Sequence, residues 1–179
     1  FIATWLHDAA SRVTIYQLDG TPDGVLDLPG LGTVSGFQGD SADSETFYKF
    51  TSFNQPGIIY RLDVANRAVT IFRAPQLAFE PDDFVTRQVF YESRDGTPIP
   101  LFISHHKDLQ LEGDVPTYLY GYGGFNIALP VAFSVPNLVW MEMGGIYAQA
   151  HLRGGGEYGR DWHEAGMKQN KQNVFDDFI

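Results

Sequence analysis

The 179-residue chain contains no cysteine, no long hydrophobic run and few basic residues. Without cysteine it has no disulfide scaffold, no thiolate metal site and no cysteine nucleophile. No apolar stretch approaches the roughly 18 residues that a membrane-spanning helix needs. Its 12 lysines and arginines against 22 aspartates and glutamates give a net charge of −10, whereas a nucleic-acid-binding surface is basic and clustered. We therefore expect a solvated acidic surface, with neither nucleic acid nor a membrane as a partner.

The sequence also lacks the Gly-x-Ser-x-Gly turn that carries the nucleophile of many hydrolases. Of the eight serines Ser35 comes nearest, but Thr33 and Phe37 occupy the two positions where the turn needs glycine. None of the five histidines belongs to a His-Glu-x-x-His pattern, so no zinc site is predicted. His105 and His106 follow a predicted strand and are expected to be solvated. No histidine stands out as a catalytic base.

The first half of the chain contains a repeat. Ile15–Asp19 and Ile59–Asp63 match at four of five positions and lie 44 residues apart. Each copy follows an aromatic-rich strand and a turn, and each precedes another turn and strand. A period of about 40–45 residues built from short antiparallel strands is typical of a β-propeller blade. The alternative is a plain meander with coincidental similarity, and two blades alone could not close a ring.

The pattern changes after Ala74–Pro81, where two prolines indicate a linker. Beyond it, Asp95-Gly96 separates two runs of alternating hydrophobicity, which predicts a β-hairpin. Strands are predicted over 85–91, 99–104, 117–120 and 145–152, and a helix over 134–143. Strands alternating with a helix indicate an α/β sheet.

One glycine-rich segment, Arg153–Gly159, contains the spacing Gly-x-Gly-x-x-Gly, with Asp176 and Asp177 about 20 residues further on. This spacing matches a dinucleotide-binding fingerprint. In such sites, however, the glycines open the helix of the first βαβ unit and the acidic residue ends the next strand. Here the two aspartates follow Asn173 in a segment that suits the first turn of a helix. We therefore interpret the motif as a turn where two backbones pass closely, and we predict no cofactor.

A second glycine-rich segment, Tyr120–Phe125, directly follows a predicted strand. In α/β-hydrolases the loop after the third strand supplies one hydrogen-bond donor to the oxyanion formed by nucleophilic attack. A tyrosine hydroxyl can be such a donor, and the glycines let the backbone turn sharply enough to aim it. The alternative is a tight turn with a packed tyrosine.

Together these segments closely resemble the prolyl oligopeptidase family of serine peptidases. The matching stretches follow the order of that family along nearly the whole chain, and they are Thr51–Phe53 with Pro56–Tyr60, Ser93–Thr97 with Ile99-Pro100, Tyr120–Asn126, Arg153–Gly159 with Trp162-His163, and Asn170–Asn173 with Phe175–Phe178. The family joins a β-propeller, which caps the active site and screens out large substrates, to an α/β-hydrolase domain that cleaves short peptides after proline.

The resemblance implies the last blades of a β-propeller at residues 1–76 and the first part of an α/β-hydrolase peptidase domain at residues 77–179. Tyr122 matches the tyrosine of the family's oxyanion hole, and Phe125 matches a phenylalanine that lines its proline-accepting pocket. The serine, aspartate and histidine of the catalytic triad have no counterpart in this chain. We therefore expect an interior segment that is inactive alone and belongs to a monomeric, cytoplasmic enzyme acting on short proline-containing peptides.

Two alternatives stay open. In the first, the parent protein is a basic-specific oligopeptidase of the same family. In the second, it is a propeller-based binding protein with an inactive hydrolase domain. The complete run Tyr120–Asn126 favours the proline-specific branch. A Gly-x-Ser-x-Gly turn within about 30 further residues would separate an enzyme from a binding protein.

Overall fold

The computed structural model describes residues 1–179, which form three sheets and a few short helices. The strands are β1 (Ile2–His7), β2 (Ala10–Tyr16), β3 (Pro22–Val25), β4 (Thr33–Gln38), β5 (Glu45–Thr51), β6 (Ile58–Asp63), β7 (Val69–Arg73), β8 (Phe84–Glu92), β9 (Pro98–His106), β10 (Thr117–Gly121) and β11 (Ile146–Ala150). The helices are α1 (Val135–Glu142), α2 (Arg160–Glu164) and α3 (Lys171–Asp176), with single 3₁₀ turns at Pro81–Asp83 and Lys168–Asn170.

The first two sheets are antiparallel meanders in the orders β1-β2-β3 and β4-β5-β6-β7. The two copies of the repeat meet the strands differently, since Ile15 and Tyr16 end β2 whereas all of Ile59–Asp63 lies within β6. A four-stranded antiparallel sheet is the form of a propeller blade. Strand β4 was not predicted, because Gly36 and Phe37 both have positive φ and the pairing with β5 shifts register there. That irregularity hides the alternation on which strand prediction depends.

The core of these two sheets comes from alternating residues of β5 and β6, which face the same side. Tyr48 and Tyr60 stack with ring centroids 5.2 Å apart. Around them pack the other buried members of the cluster: Val13, Leu26, Val34, Phe50, Ile58 and Leu62. Because Val13 and Leu26 come from the first meander, the two meanders bury their apolar faces against each other.

The third sheet has the order β10-β11-β9-β8 and is mixed. Strands β10 and β11 are parallel and are connected through α1, whereas β9 runs antiparallel to both β11 and β8. The predicted hairpin is confirmed, because β8 and β9 pair from Phe84↔His106 to Glu92↔Pro98 around a turn in which Gly96 has φ +82°. The predicted strand–helix–strand order is confirmed as well.

Two details of the sequence interpretation were wrong. His105 is buried rather than solvated, because β9 continues two residues beyond the predicted strand and pairs with β8 to its end. Helix α3 begins at Lys171, so Asp176 and Asp177 lie at its C-terminal end and not in its first turn. Asp177 is fully buried there, for a reason that its contacts explain below.

A further apolar cluster joins the meanders to the third sheet. Ala9 and Ala10, from the tip of the β1–β2 hairpin, and Phe53, which follows β5, are buried with residues of the third sheet, of α1 and of the loop before α1: Phe84, Phe102, Tyr147, Leu138, Met141 and Val131. The Thr51 hydroxyl also accepts a hydrogen bond from the Phe133 N–H at 3.2 Å. The sheet that carries the glycine-rich segments is therefore supported by the neighbouring meanders.

Candidate active site

The segment after β10, residues 122–127, forms a strained loop at the edge of the third sheet. Gly123 has φ +58°, and the two non-glycine residues Phe125 and Asn126 have φ +54° and +56°. A non-glycine residue in the left-handed region costs on the order of 1–2 kcal/mol. Such strain persists only where surrounding contacts impose it, and it is concentrated at functional sites.

The contacts that impose this conformation come from the second glycine-rich segment. The Asn126 N–H lies 3.1 Å from the Gly154 carbonyl oxygen and 3.1 Å from His163 Nδ1. A Cβ atom on Gly156 would lie 2.6 Å from the Asn126 carbonyl oxygen, and one on Gly154 would lie 2.7 Å from the Gly123 carbonyl oxygen. Only glycine permits this approach. The interpretation of Arg153–Gly159 as a turn where backbones pass closely is confirmed.

The same contacts argue against a dinucleotide site in this segment. The N–H groups of Gly154, Gly155 and Gly159 already donate to backbone carbonyl groups within the protein. The helix that follows, α2, has only five residues. A phosphate cradle needs free N–H groups at the start of a helix.

The two residues singled out by the resemblance, Tyr122 and Phe125, project from the strained loop side by side. Their ring centroids are 6.5 Å apart and the ring planes differ by 30°. Tyr122 is 42% exposed and Phe125 is 83% exposed. The tyrosine is therefore partly exposed, and its hydroxyl makes no hydrogen bond within the chain.

A buried ionic network fixes the glycine-rich segment behind this loop. Arg153 Nη2 lies 2.6 Å from Asp177 Oδ1, and its Nη1 lies 2.6 Å from Asp95 Oδ2. The Asp177 carboxylate also accepts hydrogen bonds from the Arg153 N–H at 3.0 Å and from the Ser93 hydroxyl at 2.7 Å. The bond to Asp177 raises the pKa of Arg153 still further above its usual range, and the bond from Arg153 lowers the pKa of Asp95. Asp177 is thus buried because it is the partner of a buried arginine.

A second buried polar chain runs beneath the loop. His151 Nδ1 lies 3.3 Å from Glu157 Oε1, which also accepts a hydrogen bond from the Leu129 N–H at 3.0 Å. On its other side His151 Nε2 lies 3.3 Å from Gln149 Nε2, and the Tyr147 hydroxyl donates to Gln149 Oε1 at 2.9 Å. The sequence analysis missed this series of hydrogen-bonded side chains, although three polar residues at every second position of a buried strand are its signal. Glu157 Oε2 is buried without a hydrogen-bond partner.

No group of three or more His, Asp or Glu side chains converges as a metal site would require. None of the helices combines the length and the hydropathy of a membrane-spanning helix.

Comparison with known proteins decides the family. Residues 1–75 match the model of the prolyl oligopeptidase N-terminal β-propeller domain, and residues 131–179 match the model of the prolyl oligopeptidase family. The chain belongs to the prolyl oligopeptidase family. Its fold is therefore the end of a β-propeller followed by the start of an α/β-hydrolase peptidase domain, as the sequence predicted.

Prolyl oligopeptidases of known sequence and structure resemble the whole chain. The prolyl endopeptidase of Elizabethkingia miricola is 48% identical over 179 residues, which are 100% of this chain and 25% of that protein. The prolyl endopeptidase of Dictyostelium discoideum is 40% identical over 100% of this chain and 24% of its own length. A solved prolyl endopeptidase, studied for inter-domain dynamics in catalysis and specificity, superposes with a TM-score of 0.91 at 44% identity, covering 98% of this chain and 26% of its own. The chain thus spans about a quarter of the length of these relatives.

Proposed function

We propose that this chain is part of a serine oligopeptidase that hydrolyses short peptides on the carboxyl side of proline. In this proposal residues 1–76 complete the propeller and residues 77–179 begin the peptidase domain. The observation that carries the proposal is that Tyr122 and Phe125 lie side by side and exposed on a strained loop, which the segment Arg153–Gly159 contacts. A family member bound to a 35-residue hydrolysis and macrocyclisation substrate, prolyl oligopeptidase B of Galerina marginata, superposes on this chain with a TM-score of 0.91 at 35% identity.

Tyr122 has the chemistry that acyl transfer needs at this position. When a nucleophile attacks the scissile carbonyl group, the carbonyl oxygen gains a full negative charge. A hydroxyl already aimed at that oxygen stabilises the charge without reorganising during the reaction. The serine nucleophile and its base would come from the remainder of the enzyme, since this chain holds no Gly-x-Ser-x-Gly turn. Tyr122 would act only on the transition state and the tetrahedral intermediate.

Phe125 has a different part in the proposal. Substrate pockets are lined mainly by apolar and aromatic side chains, and an exposed phenylalanine ring beside the oxyanion donor offers one wall for a pyrrolidine ring. Phe125 would therefore select the residue before the scissile bond. It would contact the substrate equally in the ground state and the transition state.

Steady-state kinetics of the full-length enzyme on a chromogenic Gly-Pro amide test both roles. Tyr122→Phe should lower kcat by about 100-fold with little change in KM, because its contact exists only around the transition state. Phe125→Ala should mainly raise KM, because it removes a contact that the bound substrate already makes. If Tyr122→Phe leaves kcat within about a factor of two, the oxyanion assignment fails.

The same experiment addresses the alternatives. A basic-specific oligopeptidase would prefer an arginine amide to the Gly-Pro amide, and a binding protein would turn over neither substrate. The proposal also includes a monomeric, cytoplasmic enzyme. Size-exclusion chromatography and cell fractionation would test those two points.

A further inference from the structure

The loop that carries Tyr122 is contacted by one ammonium group. Lys171, the first residue of α3, donates a hydrogen bond from Nζ to the Gly123 carbonyl oxygen at 2.7 Å. Gly123 directly follows Tyr122 in the chain, and the lysine side chain is partly buried at this contact. A hydrogen bond from a charged donor is roughly twice as strong as one between neutral groups.

The direction of the Tyr122 side chain depends on the backbone that carries it. The ring is 42% exposed, its hydroxyl has no partner within the chain, and its aromatic neighbour Phe125 is itself exposed. No hydrogen bond within the chain therefore aims the hydroxyl. The backbone that follows Tyr122, through the φ of +58° at Gly123 and the peptide unit of the Gly123 carbonyl group, contributes to the direction instead.

Two hydrogen-bonded anchors help to hold this backbone, one at each end of the turn. The far anchor is the Asn126 N–H, which lies within hydrogen-bond distance of Gly154 and His163. The near anchor is the Gly123 carbonyl group, which Lys171 holds by a charged hydrogen bond. The Lys171 ammonium group also lies 5.7 Å from the centroid of the Phe175 ring, which keeps the side chain over α3.

We propose that Lys171 is a positioning residue that aims the Tyr122 hydroxyl at the oxyanion by fixing the Gly123 carbonyl group. The inference rests on the proposed function, because it requires Tyr122 to be the oxyanion donor. Lys171 does not touch substrate and acts only through the loop. A misplacement of about 1 Å in a catalytic group can cost on the order of 100-fold in rate, so the loss of one anchor of two should cost less than removal of the hydroxyl.

The first test is Lys171→Met in the full-length enzyme, which keeps an unbranched side chain and removes the donor. The matched control is Lys168→Met, because Lys168 lies three residues away, is exposed and makes no side-chain hydrogen bond. We expect Lys171→Met to lower kcat by about tenfold with KM within twofold, and Lys168→Met to leave both unchanged. If Lys171→Met does not fold, Lys171→Gln, whose shorter side chain cannot reach the Gly123 carbonyl group in the same way, should show the same loss. A kcat within twofold of wild type in the folded variant would overturn the inference.

A double-mutant cycle separates positioning from a general structural role. If Lys171 acts through the Tyr122 hydroxyl, then Lys171→Met in a Tyr122→Phe background should lower kcat by less than about twofold further. An equal tenfold loss in both backgrounds would mean that Lys171 supports the enzyme independently of Tyr122, and the inference would be wrong. The two proposals fail in different ways, because an unchanged kcat in Tyr122→Phe refutes the oxyanion assignment itself. A normal loss in Tyr122→Phe without any loss in Lys171→Met refutes only the role of the lysine.

Discussion

The neighbouring glycines 123 and 124 offer a direct test of how tightly the Tyr122 loop is held. A Cβ atom on Gly123 would lie 2.4 Å from Val174 Cγ1 and 2.8 Å from the Arg153 carbonyl oxygen, and its φ is +58°. A Cβ atom on Gly124 would meet nothing closer than a Tyr122 ring carbon at 3.8 Å. Gly123→Ala should therefore strain the loop, and Gly124→Ala is its matched control.

The size of the effect follows from two contributions. A left-handed alanine costs about 1–2 kcal/mol, and a methyl group forced into a packed site costs about 1–3 kcal/mol. The sum, about 2–5 kcal/mol, should be relieved whenever the loop opens locally. Since 1.4 kcal/mol corresponds to a factor of ten, the equilibrium for opening should rise by between about 30-fold and a few thousand-fold.

Amide hydrogen exchange of the full-length enzyme measures this opening for peptides that contain the Asn126 and Ile127 N–H groups. Gly123→Ala should speed their exchange by the factor given above, and Gly124→Ala should change it by less than about threefold. The exchange of β5 and β6 in the neighbouring blade provides an internal reference. Equal exchange in the two variants would refute the argument that the glycine-rich segment fixes the loop.

Three other outcomes are expected. Asp177→Ala should lower the free energy of unfolding in urea by about 3 kcal/mol, because it leaves Arg153 buried beside a missing partner, whereas the neighbouring Asp176→Ala should cost less than about 0.5 kcal/mol. Burial and the neighbouring Tyr60 raise the pKa of Tyr48 to about 12 from 10.0. The neutral Tyr48 side chain therefore stabilises the fold fully below pH 10, and this contribution is lost as the pH rises towards 12. Tyr48→Phe should reduce the loss of stability at alkaline pH. The 179-residue chain alone should not hydrolyse a Gly-Pro amide, and turnover that titrates with a serine-directed organophosphonate would contradict this.

The sequence predicted most of the strands because their signals are local. The turn at Asp95-Gly96 and the repeat at Ile15 and Ile59 each lie within a few residues of the elements that they specify. Strand β4 was not predicted, because Gly36 and Phe37 interrupt its alternation of apolar and polar residues. The site was predicted in part. The Tyr122 loop has a local signature, whereas the contact between Lys171 and Gly123 joins residues 48 positions apart, and no spacing rule covers that separation.

The chemistry of buried charge explains why the sequence analysis misplaced Asp176 and Asp177. Asp176 and Asp177 are adjacent and identical, so sequence alone gave them one role. The fold separates them, because Asp177 meets Arg153 and Ser93 in the interior and Asp176 accepts a hydrogen bond from Gln172 near the surface. Only the long-range position of the arginine distinguishes the two.

The apolar cluster that joins the meanders to the third sheet restricts how such proteins can be recombined. A chimera with its crossover near residue 76 would place Ala9, Ala10 and Phe53 from one parent against Phe84 and Phe102 from another. Even a difference of one methylene group in such a packed cluster is felt as a cavity or a clash. A chimera should therefore fold well only when the tip of the β1–β2 hairpin and the third sheet come from the same parent. The segment that must be exchanged as a whole is thus larger than either domain.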